Sequence, residues 1–373
     1  MPIVMDRHDL PDITAEDVAQ AHKRDLEVQD QFNCRALTYW FDKERRTAFC
    51  LFEAPEIQAV KELHKHSHGM VPGNIIEVDG SLVKTFLGRI HYPEDSAHTG
   101  EGTVVVREPA FRTIMVIHLH NAAILKYNFG DRGFYNYLRR WKDVVEETAQ
   151  KYGGKVQTDD EDTWIASFST TSCAVDCALE VKDRSSDLSH PSDKTDARQW
   201  SISLTAGNPV TEKKGFFKEA IHLAKCLCRA ADSGQIAASS RVNNLYKKEE
   251  LKDLSDHQDI MTFHAEDEQF LARLGEALEN LWNKENLTNS LITKELGMSE
   301  SQFYRKISSL TGSTPTEFIQ ESRLRRAVRL IENDAGNISQ IAFETGFNNP
   351  SYFSKCFRNY FGFLPSSYRD IVS

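Results

Sequence analysis

The stretch GFNNPSYFSKCFRNYFGFLP, residues 346–365, repeats a pattern that the chain already carries about fifty residues earlier. The later half of the pattern consists of Phe303, Ile307, Leu310, Gly312 and Pro315 and, fifty residues on, of Phe353, Phe357, Tyr360, Gly362 and Pro365. The earlier half consists of Ile292, Gly297 and Met298 and, forty-nine residues on, of Ile341, Gly346 and Phe347. A glycine between two apolar helical segments supplies the left-handed turn that other residues avoid. The repeat therefore predicts two helix-turn-helix units.

The second helix of each unit has its own start signal. Ser299 followed by Gln302 forms a capping box, and Asn349 followed by Pro350 is a cap residue with proline at the first helical position. A further capping box, which opens at Thr314, predicts a long helix between the units. These signals fix where each predicted recognition helix begins.

A helix-turn-helix places its second helix in a DNA major groove, where residues of the first turns meet base edges. Apolar residues at helical spacing face the core, so the side chains between them face outward. The candidates for DNA contact are Ser299, Ser301, Gln302, Tyr304, Arg305, Asn349, Pro350, Ser351, Tyr352, Lys355 and Arg358. Arg305 contacts either a base edge or a phosphate, since most protein–DNA hydrogen bonds go to the backbone.

The region from about Asp267 to Tyr368 resembles the DNA-binding domain of the AraC/XylS family of bacterial transcription regulators. The resemblance is carried by a closing run of Gly346, Phe347, Ser351, Tyr352, Phe353, Lys355, Phe357, Gly362 and Pro365. It implies a sequence-specific regulator whose two recognition helices enter successive grooves of double-stranded DNA, and it allows RNA polymerase as a further partner. The alternative is a helical bundle that binds no DNA.

Composition limits what the rest of the chain can be. With 373 residues, the chain is long enough for two or three domains. Residues 268–373 are neutral, so the net charge of −10 belongs to residues 1–267 and DNA affinity must come from local basic patches. No apolar run approaches the roughly 18 residues of a membrane span, and no export signal is present, so we expect a cytoplasmic protein. Seven scattered cysteines indicate reduced thiols.

Two polar stretches, residues 92–108 and 247–266, are expected to be linkers. They divide the chain into an α+β domain over residues 1–91, an α/β domain over 109–246 and an all-α double helix-turn-helix domain over 267–373. The fold class is therefore multidomain.

The middle domain alternates strand and helix patterns. It resembles the catalytic domain of class III nucleotidyl cyclases over about Arg112 to Tyr246. That resemblance implies two metal-binding aspartates, of which only Asp162 is present, because His118 stands at the other position. His222 and Cys226 replace the expected asparagine and the arginine that stabilises the transferred phosphate. The sequence thus predicts a catalytically inactive domain.

Cyclase domains of this class work as dimers, so the resemblance implies a homodimer formed through the middle domain. Such a domain serves either as a scaffold or as a sensor that still accepts a nucleotide-like ligand. The competing hypothesis is an enzyme: a metal-controlled nucleotidyl cyclase that the helical domain tethers to DNA.

The first domain is predicted to have the element order β-α-β-β-α-β, the ferredoxin-like arrangement. The runs TYWFD, FCLFEAPE and HKHSHG resemble a family of small ferredoxin-like domains known as nickel-binding. His64 and His68, four residues apart, can offer two imidazoles to one ion, and His22 is the third candidate ligand. Imidazoles suit nickel, copper or zinc and do not choose among them. The alternative is that HKHSHG is a solvated helix end.

Overall fold

The computed structural model describes residues 1–92, 97–98, 104–120, 122–160, 162–185, 188, 200–281 and 287–372. Over half of the stretch 92–108, expected to be a linker, therefore lies outside the described residues. A short pair of strands, β5 (Ala97–His98) and β6 (Val104–Val105), belongs to this stretch.

The N-terminal region has the predicted element order. Its elements are β1 (Ile3–Asp9), α1 (Ala15–Val28), β2 (Arg35–Asp42), β3 (Thr47–Glu53), α2 (Ile57–Ser67) and β4 (Asn74–Val78). The four strands form an antiparallel sheet in the order β2-β3-β1-β4. A helix that the sequence analysis does not predict, α3 (Gly80–Leu87), follows and is capped by the Asp79 side chain.

This sheet is buried on both faces, because successive side chains of a strand point to opposite sides. Val4, Tyr39 and Phe52 pack toward α1 and α2. Met5 and Trp40 pack toward the middle region, in one cluster with α3. Because this cluster also contains Ile114 and Val116 of the middle region, the N-terminal and middle regions share a core. Full burial of each large apolar side chain in it contributes about 2 kcal/mol.

The middle region is α/β, as predicted. Its first elements are β7 (Arg112–Leu119), α4 (Ala122–Lys151), β8 (Lys155–Asp160), β9 (Thr163–Phe168) and α5 (Thr171–Ser185). They are followed by β10 (Trp200–Gly207), α6 (Lys218–Ala230), β11 (Ile236–Ala238), α7 (Ser240–Glu250) and β12 (Ile260–Thr262). The sheet order is β12-β11-β10-β7-β9-β8, with β11 parallel to both of its neighbours and the other pairs antiparallel.

The stretch 247–266 differs from the expected linker. It contributes β12, which pairs with β11 through Ile236 and Ile260, and the buried Leu254 packs in the middle core. Its dense charge concealed these few apolar residues, because a strand of three residues shows no clear periodicity.

The C-terminal region is helical. Its helices are α8 (Ala265–Leu281), α9 (Asn289–Leu296), α10 (Glu300–Thr311), α11 (Pro315–Glu332), α12 (Ile338–Glu344), α13 (Pro350–Phe361) and α14 (Pro365–Val372). We call α9 with α10 the first unit and α12 with α13 the second unit. No helix in the described part of the chain is long and apolar enough to cross a membrane.

Both units contact the middle region, through different elements. α8 packs along α6, and Gly275 permits the approach, since an added Cβ would lie 2.7 Å from the Sγ atom of Cys226. The start of α4, residues 122–129, packs against the second unit and α14. Gly130 then breaks the helix with φ 65° and ψ 170°.

Candidate nucleic-acid interface and metal cluster

The first recognition helix is α10. Its N-terminus is closed by the predicted capping box: the Ser299 hydroxyl accepts from the Gln302 amide at 3.2 Å, and Gln302 Oε1 accepts from the Ser299 amide at 2.9 Å. Ser299 and Gln302, both candidates for DNA contact, thus hydrogen-bond to each other. Ser301, Tyr304 and Arg305 are exposed, with Tyr304 at 53%.

The second recognition helix, α13, repeats this arrangement with another cap. Asn349 Oδ1 accepts from the amides of Ser351 and Tyr352 at 2.8 and 3.1 Å. Proline at the next position is half-buried, and the other candidates of this helix are exposed: Ser351, Tyr352, Lys355 and Arg358. Phe353 and Phe357 are buried, as their spacing predicted.

The recognition helices carry four cations: Arg305 and Lys306 on α10, and Lys355 and Arg358 on α13. Lys306 is paired with Asp267 at 2.5 Å, whereas the other three take part in no ion pair with a described residue. On α11, by contrast, Arg329 pairs with Asp160 of β8 at 3.4 Å. Positive charge is therefore free on the two recognition helices and already engaged on the helix between them.

A second cluster of polar side chains lies between the sheet and the helices of the N-terminal region. β1 supplies Asp6 and His8, α1 supplies Asp25, and the end of α2 supplies His64 and His68. His64 Nε2 lies 2.8 Å from Asp6 Oδ2, and His64 Nδ1 lies 3.3 Å from Asp25 Oδ1. His68 Nε2 lies 3.2 Å from the same Asp25 oxygen. Two potential ligand sets, Asp6–His8–His64 and Asp25–His64–His68, therefore share His64.

Charge is balanced within this cluster by protonation of His64. Burial lowers the pKa of its imidazole, but hydrogen bonds to Asp25 and Asp6 outweigh burial and raise that pKa to about 10. Burial raises the pKa of both carboxyls, and their histidine partners reverse this effect, so both pKa values are lowered. The cluster thus places a protonated imidazole between two carboxylates, at a position that favours positive charge.

His22, the third predicted ligand, is outside both ligand sets. Its side chain is 2% exposed, and neither ring nitrogen has a hydrogen-bond partner among the described residues. Its ring centroid lies 5.0 Å from that of Tyr39, and burial lowers its pKa to about 4. Of the predicted trio, only His64 and His68 are brought into contact, with 2.9 Å between their nearest nitrogens.

Asp6 and Asp25 are absent from the predicted ligand set. The signal for Asp6 is a carboxylate directly after the apolar residues Ile3–Met5 in the same strand, and His8 follows two residues on, at the same face of the strand. Asp25 lies one turn after His22 in the sequence, but only the packing of α1 against α2 brings it to His64.

The middle region brings together the two positions that the cyclase resemblance assigns to metal aspartates. His118 Nδ1 lies 3.8 Å from Asp162 Oδ1. Burial lowers the pKa of His118 well below its usual value, so its imidazole is neutral. His222 and Cys226 face α8, where His222 Nε2 donates to the carbonyl oxygen of Ala272 at 2.9 Å.

Two family models match parts of the chain. Residues 292–371 match the model of a helix-turn-helix domain. Residues 5–78 match the model described as nickel responsive protein SCO4226-like. The first range covers both recognition helices, and the second covers the whole polar cluster of the N-terminal region.

Individual relatives are similar over short ranges. The chain is 41% identical over 113 residues to Histidine kinase P4 of Formosa agariphila, which is 30% of this chain and 8% of that protein. It is 36% identical over 92 residues to the HTH-type transcriptional activator RhaS of Mannheimia succiniciproducens, 25% of this chain and 34% of that protein. The crystal structure of SCO4226 from Streptomyces coelicolor A3(2) is 34% identical, covers 20% of this chain and 94% of that chain, and has a TM-score of 0.20.

The chain spans less than half the length of these two curated relatives. The matches therefore concern its two ends as separate domains. The chain carries an SCO4226-like domain near its N-terminus and an AraC-type helix-turn-helix domain at its C-terminus.

Proposed function

We propose that this protein is a transcription regulator that binds double-stranded DNA sequence-specifically through α10 and α13. The observation that carries the proposal is the equivalent pair of exposed faces, each with an aromatic ring and at least one cation that forms no ion pair with a described residue. Lysine and arginine displace counterions from phosphates, and side chains in the first helical turns read bases. RNA polymerase is the further partner in this proposal.

The test is selection of duplexes from a random-sequence pool by the full-length protein, followed by footprinting. We expect two protected patches about 10 base pairs apart. Affinity falls as salt rises, because binding releases counterions. A protein that selects no common sequence would refute the proposal.

The N-terminal region is the sensor in this proposal, and its ligand is a divalent nickel, copper or zinc ion. The donor set supports this choice, because imidazoles with carboxylates suit these metals. Either Asp6, His8 and His64 or Asp25, His64 and His68 would hold the ion. The two nitrogens of His22 that lack hydrogen bonds lie in the same buried core, although outside either ligand set.

Binding of the ion competes with the proton on His64. That imidazole has a pKa of about 10 without metal, so it is charged at neutral pH and must lose its proton to become a ligand. Metal affinity therefore rises with pH between pH 6 and 9 by about tenfold per pH unit, as expected for release of one proton. Isothermal titration of the full chain with nickel chloride at several pH values measures this slope.

Variants at the cluster distinguish a metal site from a structural polar core. The His64→Ala, His68→Ala double variant should lose nickel binding, whereas His66→Ala should keep it, because His66 is exposed on the same helix. Equal nickel affinity in the double variant and the wild type would contradict the metal proposal.

The middle region is proposed to be an inactive scaffold that also supports a homodimer. Two features support loss of catalysis: position 118 carries an imidazole where a metal-binding carboxylate is expected, and α8 packs against His222 and Cys226. The full-length protein should form no cyclic nucleotide from ATP or GTP with magnesium or manganese. A cyclic product that Asp162→Ala abolishes would establish the enzyme instead, and sedimentation measures the dimer.

A further inference from the structure

The helix α1 touches both the metal cluster and the chain that leaves the N-terminal region. It supplies the candidate ligand Asp25 to the cluster. One turn earlier, His22 packs its ring on Tyr39. Near its start, Glu16 forms an ion pair with Arg107. A shift of α1 on metal binding would therefore reach residues beyond the cluster.

The residues that leave the N-terminal region are held by β2. The Tyr39 hydroxyl donates to the Val104 carbonyl at 2.8 Å and accepts from the Val106 amide at 2.9 Å. The Phe41 amide donates to the Glu108 carbonyl at 3.0 Å. We call residues 104–111 the connector. It lies on the edge strand of the N-terminal sheet and follows movements of that edge.

The connector continues directly into β7, at the centre of the middle sheet. β7 pairs with β10 on one side and β9 on the other over most of its length. A strand that is paired on both sides moves as a unit with its neighbours. A displacement of the connector is thus passed along β7 toward its far end.

After β7 the chain enters residues 122–129, which we call the docking segment. Ala123 is 5% exposed and belongs to the core of the second unit. The Tyr127 ring stacks on Phe363 with 4.0 Å between centroids and 10° between planes. Lys126 Nζ lies 3.7 Å from Glu332 Oε1. This segment holds the second unit, whereas α8 holds the first.

The docking segment is separated from the rest of α4 at Gly130. The φ of 65° there favours glycine, and an added Cβ would meet nothing within 4 Å, so the glycine serves conformation and not packing. Phe134 and Trp141 beyond it, and Leu125 of the docking segment, pack in the same middle core. The docking segment therefore joins the middle core to the second unit, and the break at Gly130 sets its angle to the body of α4.

We propose that the connector, β7 and the docking segment form one coupling element, through which occupancy of the metal cluster sets how firmly the second unit is held. Metal binding would move α1, α1 would move the connector at Tyr39 and Arg107, and the docking segment would reposition the second recognition helix more than the first. The ligand acts only through its different affinity for the two arrangements. This inference rests on the proposed metal binding.

Hydrogen exchange of the full-length protein, with and without nickel chloride, tests the coupling. We expect nickel to slow exchange in residues 1–91 and to change exchange in the docking segment and α14 by about fivefold or more, the lower end of typical coupling between sites. Exchange in α9 and α10 should change less, because the first unit is anchored through α8.

Tyr39→Phe is the decisive variant, because it keeps the ring beside His22 and removes only the hydroxyl that holds the connector. It should keep nickel binding and lose the effect on α14. Tyr152→Phe is the matched control, since that hydroxyl bonds to Glu180, away from this route. Tyr127→Leu, at the other end, should speed exchange of α14 even without nickel.

The outcomes separate the two proposals. If nickel protects residues 1–91 but leaves α14 unchanged, or if Tyr39→Phe keeps the full effect on α14, metal binding stands and the coupling is wrong. If nickel changes exchange nowhere, the metal proposal is wrong and the coupling falls with it.

Discussion

The two helix-turn-helix units share one sequence pattern but differ in what surrounds them. The core of the first unit, with Phe303 and Ile307, is continuous with Leu227 and Ala230 of α6 through α8. The core of the second unit is mostly aromatic and is built from residues of its own half of the domain. Among the described residues, the middle region contributes to this core only through the docking segment, whose Ala123 is buried there.

This difference shows that a duplicated motif can give two DNA-reading elements with different freedom. The first unit shares a core with the middle region, so its position is fixed by the free energy of that whole core. The core of the second unit is built mainly from its own half of the domain, and it contacts the middle region through the short docking segment. A change in its position therefore requires little free energy. In the coupling proposed above, this asymmetry would let the first unit stay bound to DNA while the second unit responds to metal binding.

The largest expected effect comes from truncating the equivalent core residues. Phe303→Ala and Phe353→Ala each remove a fully buried ring, and each should cost about 3–5 kcal/mol. Because the cores are connected differently, Phe303→Ala should lower the main thermal transition that includes the middle region. Phe353→Ala should produce a separate early transition. Calorimetry of the full chain measures both.

Footprints provide the matching control for these variants. Phe353→Ala should keep protection of the patch read by the first unit and lose the other patch. A single transition that both variants lower equally would show that the two units are anchored alike, and the comparison would be wrong.

A smaller effect is expected at the DNA surface. Arg305→Ala should cost about 1–3 kcal/mol of binding free energy and relax specificity at one position, as expected for a base contact in the first turns of a recognition helix. Arg358, nearer the end of α13, should contact phosphate. Arg358→Ala should weaken binding to all sequences and reduce the salt dependence. Titrations with the selected and scrambled duplexes at several salt concentrations distinguish the two.

If Arg305→Ala weakens binding to both duplexes equally, Arg305 is itself a phosphate contact. The two units would then differ less in how they read bases than in how they are held.

Local signals made much of this architecture predictable. The capping box at Ser299 and the cap at Asn349 depend on residues within three positions, so the sequence alone located the start of both helices. Periodicity likewise placed Phe303 and Phe353 in the core. Exposure of Arg305 follows from the same helical period.

Features created by long-range packing were not predictable. Asp6 and His64 are 58 residues apart and meet only because β1 packs beneath α2. The contact of α8 with His222 joins two regions that the sequence divides by a charged stretch, and no periodicity reports which surfaces of separate domains meet. The ligand set of the metal cluster was therefore predicted in part.

The turns of the two units offer a further comparison, with an expected effect of about 1–2 kcal/mol from left-handed strain. Gly297 has φ 66° and nothing within 4 Å of an added Cβ, so Gly297→Ala should cost only that strain. Gly346 has φ 82°, and an added Cβ would lie 3.3 Å from the Arg323 guanidinium. Gly346→Ala should therefore cost more than Gly297→Ala, as measured by denaturant unfolding. An equal cost would show that Arg323 moves aside freely.

The smallest expected effect concerns the helix caps. Ser299→Ala and Asn349→Ala should each cost about 1 kcal/mol of stability, because amides in the first turn lose their acceptor. In the first unit this loss is spread over a core shared with the middle region, so the unfolding midpoint should hardly move. In the second unit the same loss of stability affects a smaller, separate core. Hydrogen exchange of the α13 amides should therefore become faster in Asn349→Ala than exchange of the α10 amides does in Ser299→Ala.

Asn349→Ser separates capping from DNA contact, since serine keeps a cap acceptor and removes the amide group. If stability and DNA affinity both return to the wild-type values in Asn349→Ser, Asn349 acts through the helix it caps. If stability returns and affinity does not, the Asn349 amide contacts DNA directly. The second unit would then read bases with a residue that the first unit, whose Ser299 is tied to Gln302, uses only to begin its helix.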